Sequence, residues 1–161
     1  MQNERPKEFE GILHAEGMRF ALVVSRFNAL VTESLLAGAL DCLKRHGATV
    51  ADQVVVRVPG GWEIGLAVQH ILKSQQLKVH GIIALGCVMR GSTTHNEYIN
   101  GELTKQLSHL SLEHHIPVSF GVLTPDTMEQ ALERSGLKMG NKGAEAAEAG
   151  IEMVSLLRRL G

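Results

Sequence analysis

Cysteine is scarce in this chain. Its two cysteines, Cys42 and Cys87, fall in an expected helix and at an expected strand end, so a disulfide-stapled secreted domain is excluded and a reducing, cytoplasmic setting is expected. Net charge is scarce too: 16 basic residues against 17 acidic leave −1 with histidines neutral, which offers no general attraction to nucleic acid or to an anionic membrane. No apolar run approaches the ~18 residues of a membrane span. The opening MQNERPKEFEG is polar, without the apolar core of a signal peptide, so export is not expected. Neither repeats nor low-complexity tracts nor an interior linker break the 161 residues, which read as one domain, 1–161, with a polar arm over 1–14. Metal-ligand spacing is missing as well. His109, His114 and His115 lie five, one and six positions apart, which does not gather three ligands on one helical face, while His14, His46, His70 and His80 sit at arms, caps and turns. Aromatics make up 4% of the chain, so the two in expected loops, Phe27 and Trp62, stand out. Each is either a platform for a flat heterocycle or a packing or subunit contact.

What the chain does have is alternation. Apolar runs at Met18–Val24, Gln53–Val58, Val79–Leu85 and Pro117–Leu123 predict buried strands, and a shorter run at Phe9–Leu13 in the arm predicts an extra one. Between them lie helical patterns. Leu30–His46 carries Leu36, Leu40 and Leu43 on one face and ends at Gly47. Glu63–Ser74 buries Ile64, Ala67, Val68, Ile71 and Leu72, and His95–His115 turns Ile99, Leu103, Leu107 and Leu110 inward. A short helix runs from Pro125-Asp126 to Arg134, and a final one spans Ala144–Leu160. Strands that are nearly all apolar, separated by helices, predict a four-stranded parallel sheet covered on both faces, an α/β fold built as a three-layer α/β/α sandwich. Ligands in such sheets bind beyond the carboxyl ends of the strands. Ser25–Asn28, Pro59–Glu63, Gly86–His95 and Thr124-Pro125 all fall there, and four converging segments define one expected site.

The richest of the four segments is Ala84–Tyr98, read as strand, small-residue loop and helix start. Free backbone N–H groups and the positive end of a helix dipole meet at such a junction, which suits a phosphate. Gly91, Ser92 and Thr93 with Thr94 are either that cradle or a plain N-capping cluster. The loop is not a P-loop, because Ser92 stands where the lysine belongs, and no Gly-x-Gly-x-x-Gly follows the first strand. His95, in the first turn, is a candidate general acid or base; the helix N-terminus favours its neutral form, a bound phosphate its protonated one. Glu63 opens a helix, where a carboxylate is stabilised by the dipole, and also faces the expected pocket. Arg134, Lys138 and Lys142 cluster near the end of the short helix. They either complement its dipole, which suits Lys138 best, or supply a fixed cation for a phosphate.

These residues occur together in a known pattern. The blocks Arg26-Phe27-Asn28, Val58–Ile64, Ala84-Leu85-Gly86 with Arg90–His95 and Tyr98, Phe120–Thr124, and Glu129–Arg134 with Lys138 and Gly140–Gly143 follow one another in the order and spacing of the 6,7-dimethyl-8-ribityllumazine synthase family, which this chain resembles over nearly its whole length after the arm. The resemblance implies a flavodoxin-like fold and a transferase of riboflavin biosynthesis. Its reaction condenses 5-amino-6-(D-ribitylamino)uracil with 3,4-dihydroxy-2-butanone 4-phosphate, with no metal or organic cofactor. It implies that Phe27, Gly61 and Trp62 border the pyrimidine, that Glu63 holds ribityl hydroxyls and that backbone around Val88 and Met89 reads the ring edge. Gly91, Ser92 and Thr93 would cradle phosphate with Arg134, His95 would move protons, and Lys142 would lie near the pyrimidine. Phe120, Arg134 and Lys142 would come from a neighbouring subunit.

The resemblance also implies assembly into pentamers, decamers or sixty-subunit shells. The short Ser135–Gly143 segment favours the shell, with riboflavin synthase as a candidate cargo. The arm would add as a strand to a neighbour's sheet, within limits set by Pro6. Three positions depart from the pattern: Gly65 stands where a proline is usual, which predicts a looser helix start, Asn96 replaces an aromatic, and Cys87 replaces a frequent threonine. Two rival readings remain: a non-catalytic lumazine- or flavin-binding carrier or shell protein, and a generic flavodoxin-like phosphate-binding or regulatory module. The second calls for an acidic cluster or hydroxyl-rich loop after the first strand, which Ser25–Asn28 does not supply.

Overall fold

The computed structural model describes residues 5–161. Its main sheet has four parallel strands in the order β2-β1-β3-β4, with β1 Phe20–Ser25, β2 Gln53–Val58, β3 Gly81–Cys87 and β4 Val118–Leu123. Helices α1 (Ala29–Arg45) and α5 (Lys142–Leu160) cover one face, and α2 (Gly61–Lys73) and α3 (His95–His114) cover the other. The strand side chains sort by parity between the two cores. Phe20, Leu22, Val24, Ile83 and Leu85 pack with Val31, Leu35, Ala147 and Ile151, while Ala21, Val23, Ile82 and Ala84 pack with Ile64, Val68, Leu103 and Leu107. The order 2-1-3-4 is flavodoxin-like, and the chain reverses direction across the sheet between β1 and β3, where a crevice opens.

The helices start and stop where local chemistry dictates. α1 ends in a Schellman motif: Gly47, at φ 96°, donates to the Lys44 carbonyl and Ala48 to that of Leu43. α4 (Met128–Arg134) starts three residues later than Pro125 because Thr127 caps it, its hydroxyl accepting from the Gln130 N–H at 3.2 Å. α5 starts two residues earlier than expected. The Asn141 Oδ1 accepts from the N–H groups of Gly143 and Ala144 at 2.9 and 3.1 Å, while Nδ2 donates to the Ser34 carbonyl at 2.9 Å. Between α4 and α5 lies a small antiparallel hairpin, β5 (Ser135–Leu137) and β6 (Gly140–Asn141), absent from the sequence reading.

Three expectations need correction. The Phe9–Leu13 run is not a strand within this chain; it lies along α5, held by the Ile12 N–H on Ser155 Oγ at 3.0 Å and by Arg159 on the Glu10 carbonyl at 2.6 Å. An apolar alternation makes a strand only where it runs beside a partner edge, and this run lies against a helix instead. Gly65 does not loosen a helix start, because α2 begins at Gly61; Gly65 is buried inside the helix, and a side chain there would displace the Gln106 carboxamide of α3. Ile99 is not core: it is half-buried and faces a cleft. The two cysteines are free and buried, as expected.

Candidate active site

Two clefts flank the carboxyl edge of the sheet. The first, about 510 Å³, opens at the β1/β3 crevice. After β1 come Phe27 and Asn28. Asn28 takes the left-handed conformation, φ 61°, and its Nδ2 donates to the Cys87 carbonyl at 2.8 Å, tying the first loop to the end of β3. Asparagine tolerates this backbone region better than most residues, which makes it a fitting hinge between strand and helix. That turn leaves Phe27 standing out, 72% exposed, across from Trp62, 59% exposed, at the start of α2. Gly61 beside Trp62 has no room for a side chain, since a Cβ would meet Val88 Cγ2 at 2.8 Å. Val88, Met89 and Gly91, after β3, line the cleft too, as do Thr93 and His95 at the approach to α3. A Cβ on Gly91 would meet nothing, so the loop backbone is open to close approach by a ligand. His95 is exposed and its N–H reaches Thr93 Oγ1 only weakly, at 3.5 Å.

The second cleft, about 490 Å³, lies beyond β4 and is lined by Phe120, Thr124, Pro125, Gln130, Arg134 and Lys142. Arg134, half-buried, donates to the Gln130 carbonyl at 3.3 Å and, among the described residues, pairs with no carboxylate. Its remaining donors are available to an anion. Lys142 is exposed and bonded to Glu145 at 2.6 Å. Its neighbour Gly143 sits so close to α1 that a Cβ there would run into the Leu35 carbonyl, so the backbone beside Lys142 is packed directly against α1.

No residue lines both clefts. Of the expected site residues, Phe27, Gly61, Trp62, Val88, Met89, Gly91, Thr93 and His95 meet in the first; Phe120, Arg134 and Lys142 meet in the second. The four strand-end segments therefore do not converge on one pocket, because Thr124-Pro125 ends the edge strand and opens away from the crevice. Two residues sit differently from expectation. Glu63 does not line the first cleft; its carboxylate accepts the Gly60 N–H at 2.9 Å and so caps its own helix. Ser92 is exposed at the loop tip and does not line the cleft either. The structure adds Asn28, Cys87, Asn96 and Ile99 to the lining. Burial pushes the Cys87 thiol up to about 11, so it is a neutral wall group at neutral pH and not a nucleophile. Among the described residues no group of three His, Cys, Asp or Glu side chains is placed to hold a metal, and no helix is long and apolar enough to cross a membrane.

A flavodoxin-like sheet with an aromatic-lined crevice, an open glycine loop and a histidine at the following helix start defines an α/β domain with a small-molecule cleft at the carboxyl ends of its strands. The family comparison is more specific: residues 17–158 match the family model described as 6,7-dimethyl-8-ribityllumazine synthase. The chain belongs to the 6,7-dimethyl-8-ribityllumazine synthase family, and its family-level activity is lumazine synthesis in riboflavin biosynthesis.

Proposed function

We propose that the protein is a transferase that condenses 5-amino-6-(D-ribitylamino)uracil with 3,4-dihydroxy-2-butanone 4-phosphate at sites shared between neighbouring subunits. The observation that carries this reading is the separation of the two clefts: aromatic walls, loop and imidazole in one, an arginine that pairs with no carboxylate among the described residues and a lysine in the other. A head-to-tail ring of copies brings the second cleft of one chain over the first cleft of the next.

In such a site Phe27 and Trp62 border the pyrimidine and the open backbone at Gly91 receives the phosphate. Arg134 of the adjacent copy supplies the countercharge. The 5-amino group and the ketone form an imine with loss of water. Removal of the proton from the hydroxyl-bearing carbon then expels phosphate from the neighbouring carbon and leaves an enol. Protonation of that neighbouring carbon turns the enol into a ketone, and attack of the ribitylamino nitrogen on this new carbonyl closes the ring with loss of a second water. His95 is the residue placed to take and return protons in these steps. Holding both reactants in register contributes roughly 7–11 kcal/mol of barrier lowering at best. Glu63 acts first as the cap of α2, setting the angle at which Trp62 meets the ring; contact with ribityl hydroxyls falls to its second carboxylate oxygen. Pentamers, and shells built from them, are the proposed assembly, with riboflavin synthase as a proposed guest.

The test is mixing. His95→Ala and Arg134→Ala are each purified, unfolded together in equal amounts and refolded. Sites shared between chains regain one intact half from each variant, so about a quarter of the sites recover, as random placement around a ring requires. No recovery above the sum of the two variants would place both halves in one chain. A protein that binds lumazine yet turns over nothing would instead be a carrier.

A further inference from the structure

Asn96 follows His95 in the first turn of α3 and lines the first cleft. The family resemblance leads to an aromatic ring at this position, and the chain carries a carboxamide. Among the described residues its Oδ1 is buried with no hydrogen-bond partner, as is Oδ1 of Asn100 one turn along the same helix. Buried polar atoms are nearly always paired, so two orphans at i and i+4 on one helical face mark a place where the fold by itself is incomplete. With Oδ1 closed off, the group Asn96 offers the cleft is its Nδ2, which carries two protons to donate. Trp62, Val88 and Ile99 give the cleft apolar surface, and Asn28, Arg90, Thr93 and His95 line it as well. A carboxamide donor beside apolar surface discriminates, because a ligand without a matching acceptor leaves it unpaired.

We propose that Asn96 is a specificity-determining residue that contacts substrate: its amide donates a hydrogen bond to an oxygen of the pyrimidine-bearing substrate. The proposal rests on the function proposed above, which seats that substrate in this cleft. Position favours it over the butanone phosphate. The backbone that suits phosphate precedes the helix, whereas Asn96 lies inside the first turn on the side of Ile99.

The experiment uses the assembled wild-type protein and two variants, Asn96→Leu, similar in size with no polar atom, and Asn96→Asp, similar in shape but only an acceptor when ionised. Steady-state kinetics give KM for each substrate, and fluorescence titration with 6,7-dimethyl-8-ribityllumazine gives a Kd that does not depend on turnover. In both variants KM for the pyrimidine and Kd for the lumazine rise about tenfold, the scale of one lost hydrogen bond in a closed site. KM for the butanone phosphate and the thermal midpoint stay unchanged. Unchanged KM and Kd in either variant overturn the proposal. So does an equal rise for both substrates together with a lowered midpoint, which is the signature of a packing role. If Asn96→Leu fails to fold, Asn96→Asp decides alone. If the wild-type protein binds lumazine without turnover, the proposed function fails while the Kd series still judges Asn96.

Discussion

The first cleft is walled by Phe27, Trp62, Val88 and Ile99 and floored by loop backbone, whereas the second is an edge-strand groove bearing Arg134 and Lys142. In the proposed function the first holds the flat ring and presents backbone donors to a phosphate, and the second supplies positive charge. They differ also in how they are held. The loops of the first are tied together by the Asn28 side chain, bonded to the Cys87 carbonyl at 2.8 Å. The second is held by close helix packing, with the Asn141 cap and the Gly143–Leu35 approach on either side of Lys142. The contrast is one of degree, since Arg90, 3.6 Å from Asp126, also lines the first cleft and Phe120 the second; the proposed reaction draws on both clefts.

Removing the charge of the second cleft is the largest expected effect. Arg134→Ala lowers kcat/KM about 10³-fold, as loss of a preorganised charge facing a departing phosphate does. His95→Ala, in the first cleft, lowers kcat by about 10²-fold, at the low end for a proton shuttle, and leaves measurable turnover because orientation survives. Steady-state rates over background check both, and an unchanged rate in His95→Ala would remove the proton-transfer role. Next in size is Gly143→Ala. The added methyl meets the Leu35 carbonyl rather than a flexible side chain, so α5 must lift from α1. Such overpacking costs about 1–3 kcal/mol. Denaturant unfolding reads the loss, and binding of free phosphate weakens with it if Lys142 and Arg134 share the second cleft's work.

The smallest effect lies outside both clefts and serves as their control. Burial and the charges of Arg158 and Arg19 hold the His80 imidazole below its ordinary range, against a weaker pull from Asp52. Its Nδ1 accepts the Arg19 N–H at 2.9 Å, which requires the neutral ring. A lowered folded value means that this contribution to stability is present above about pH 6.5 and is lost as pH falls through the folded value. His80→Asn keeps an acceptor without the titration, so its thermal midpoint falls less between pH 7.5 and 5.5 than that of the wild type. Equal slopes would show that His80 does not report on acid stability.

Parallel strands and their helical crossovers were legible because buried strands in such a sheet are apolar throughout, and four of them separated by helices leave few alternatives. Element ends were less legible. Pro125-Asp126 looks like a helix start, yet the bond that starts α4 is made by Thr127, and several residues nearby have the same capacity. Asn141 was read as punctuation although its side chain caps α5 and reaches α1 as well. The residues of the site were legible as types, their grouping was not: β4 is an edge strand only because it pairs with β3 alone, and that order is set by tertiary packing. Glu63 shows the same limit. A carboxylate three residues after Gly60 can cap or can bind, and only the 2.9 Å bond to the Gly60 N–H tells which comes first.

The sheet has β2 and β4 each paired on one side only, and Val55 and Phe120 on those strands are exposed. A newly folded single chain therefore carries two templates for indiscriminate strand addition. Productive assembly and aggregation then compete as parallel bimolecular processes, and parallel sheets, being slow to form, lengthen the window of competition. Recovery on refolding is thus governed by how gradually chains are released into solution as much as by the stability of the finished protein. Slow dilution or a holding chaperone favours native particles, and rapid dilution of concentrated denatured chain favours precipitate.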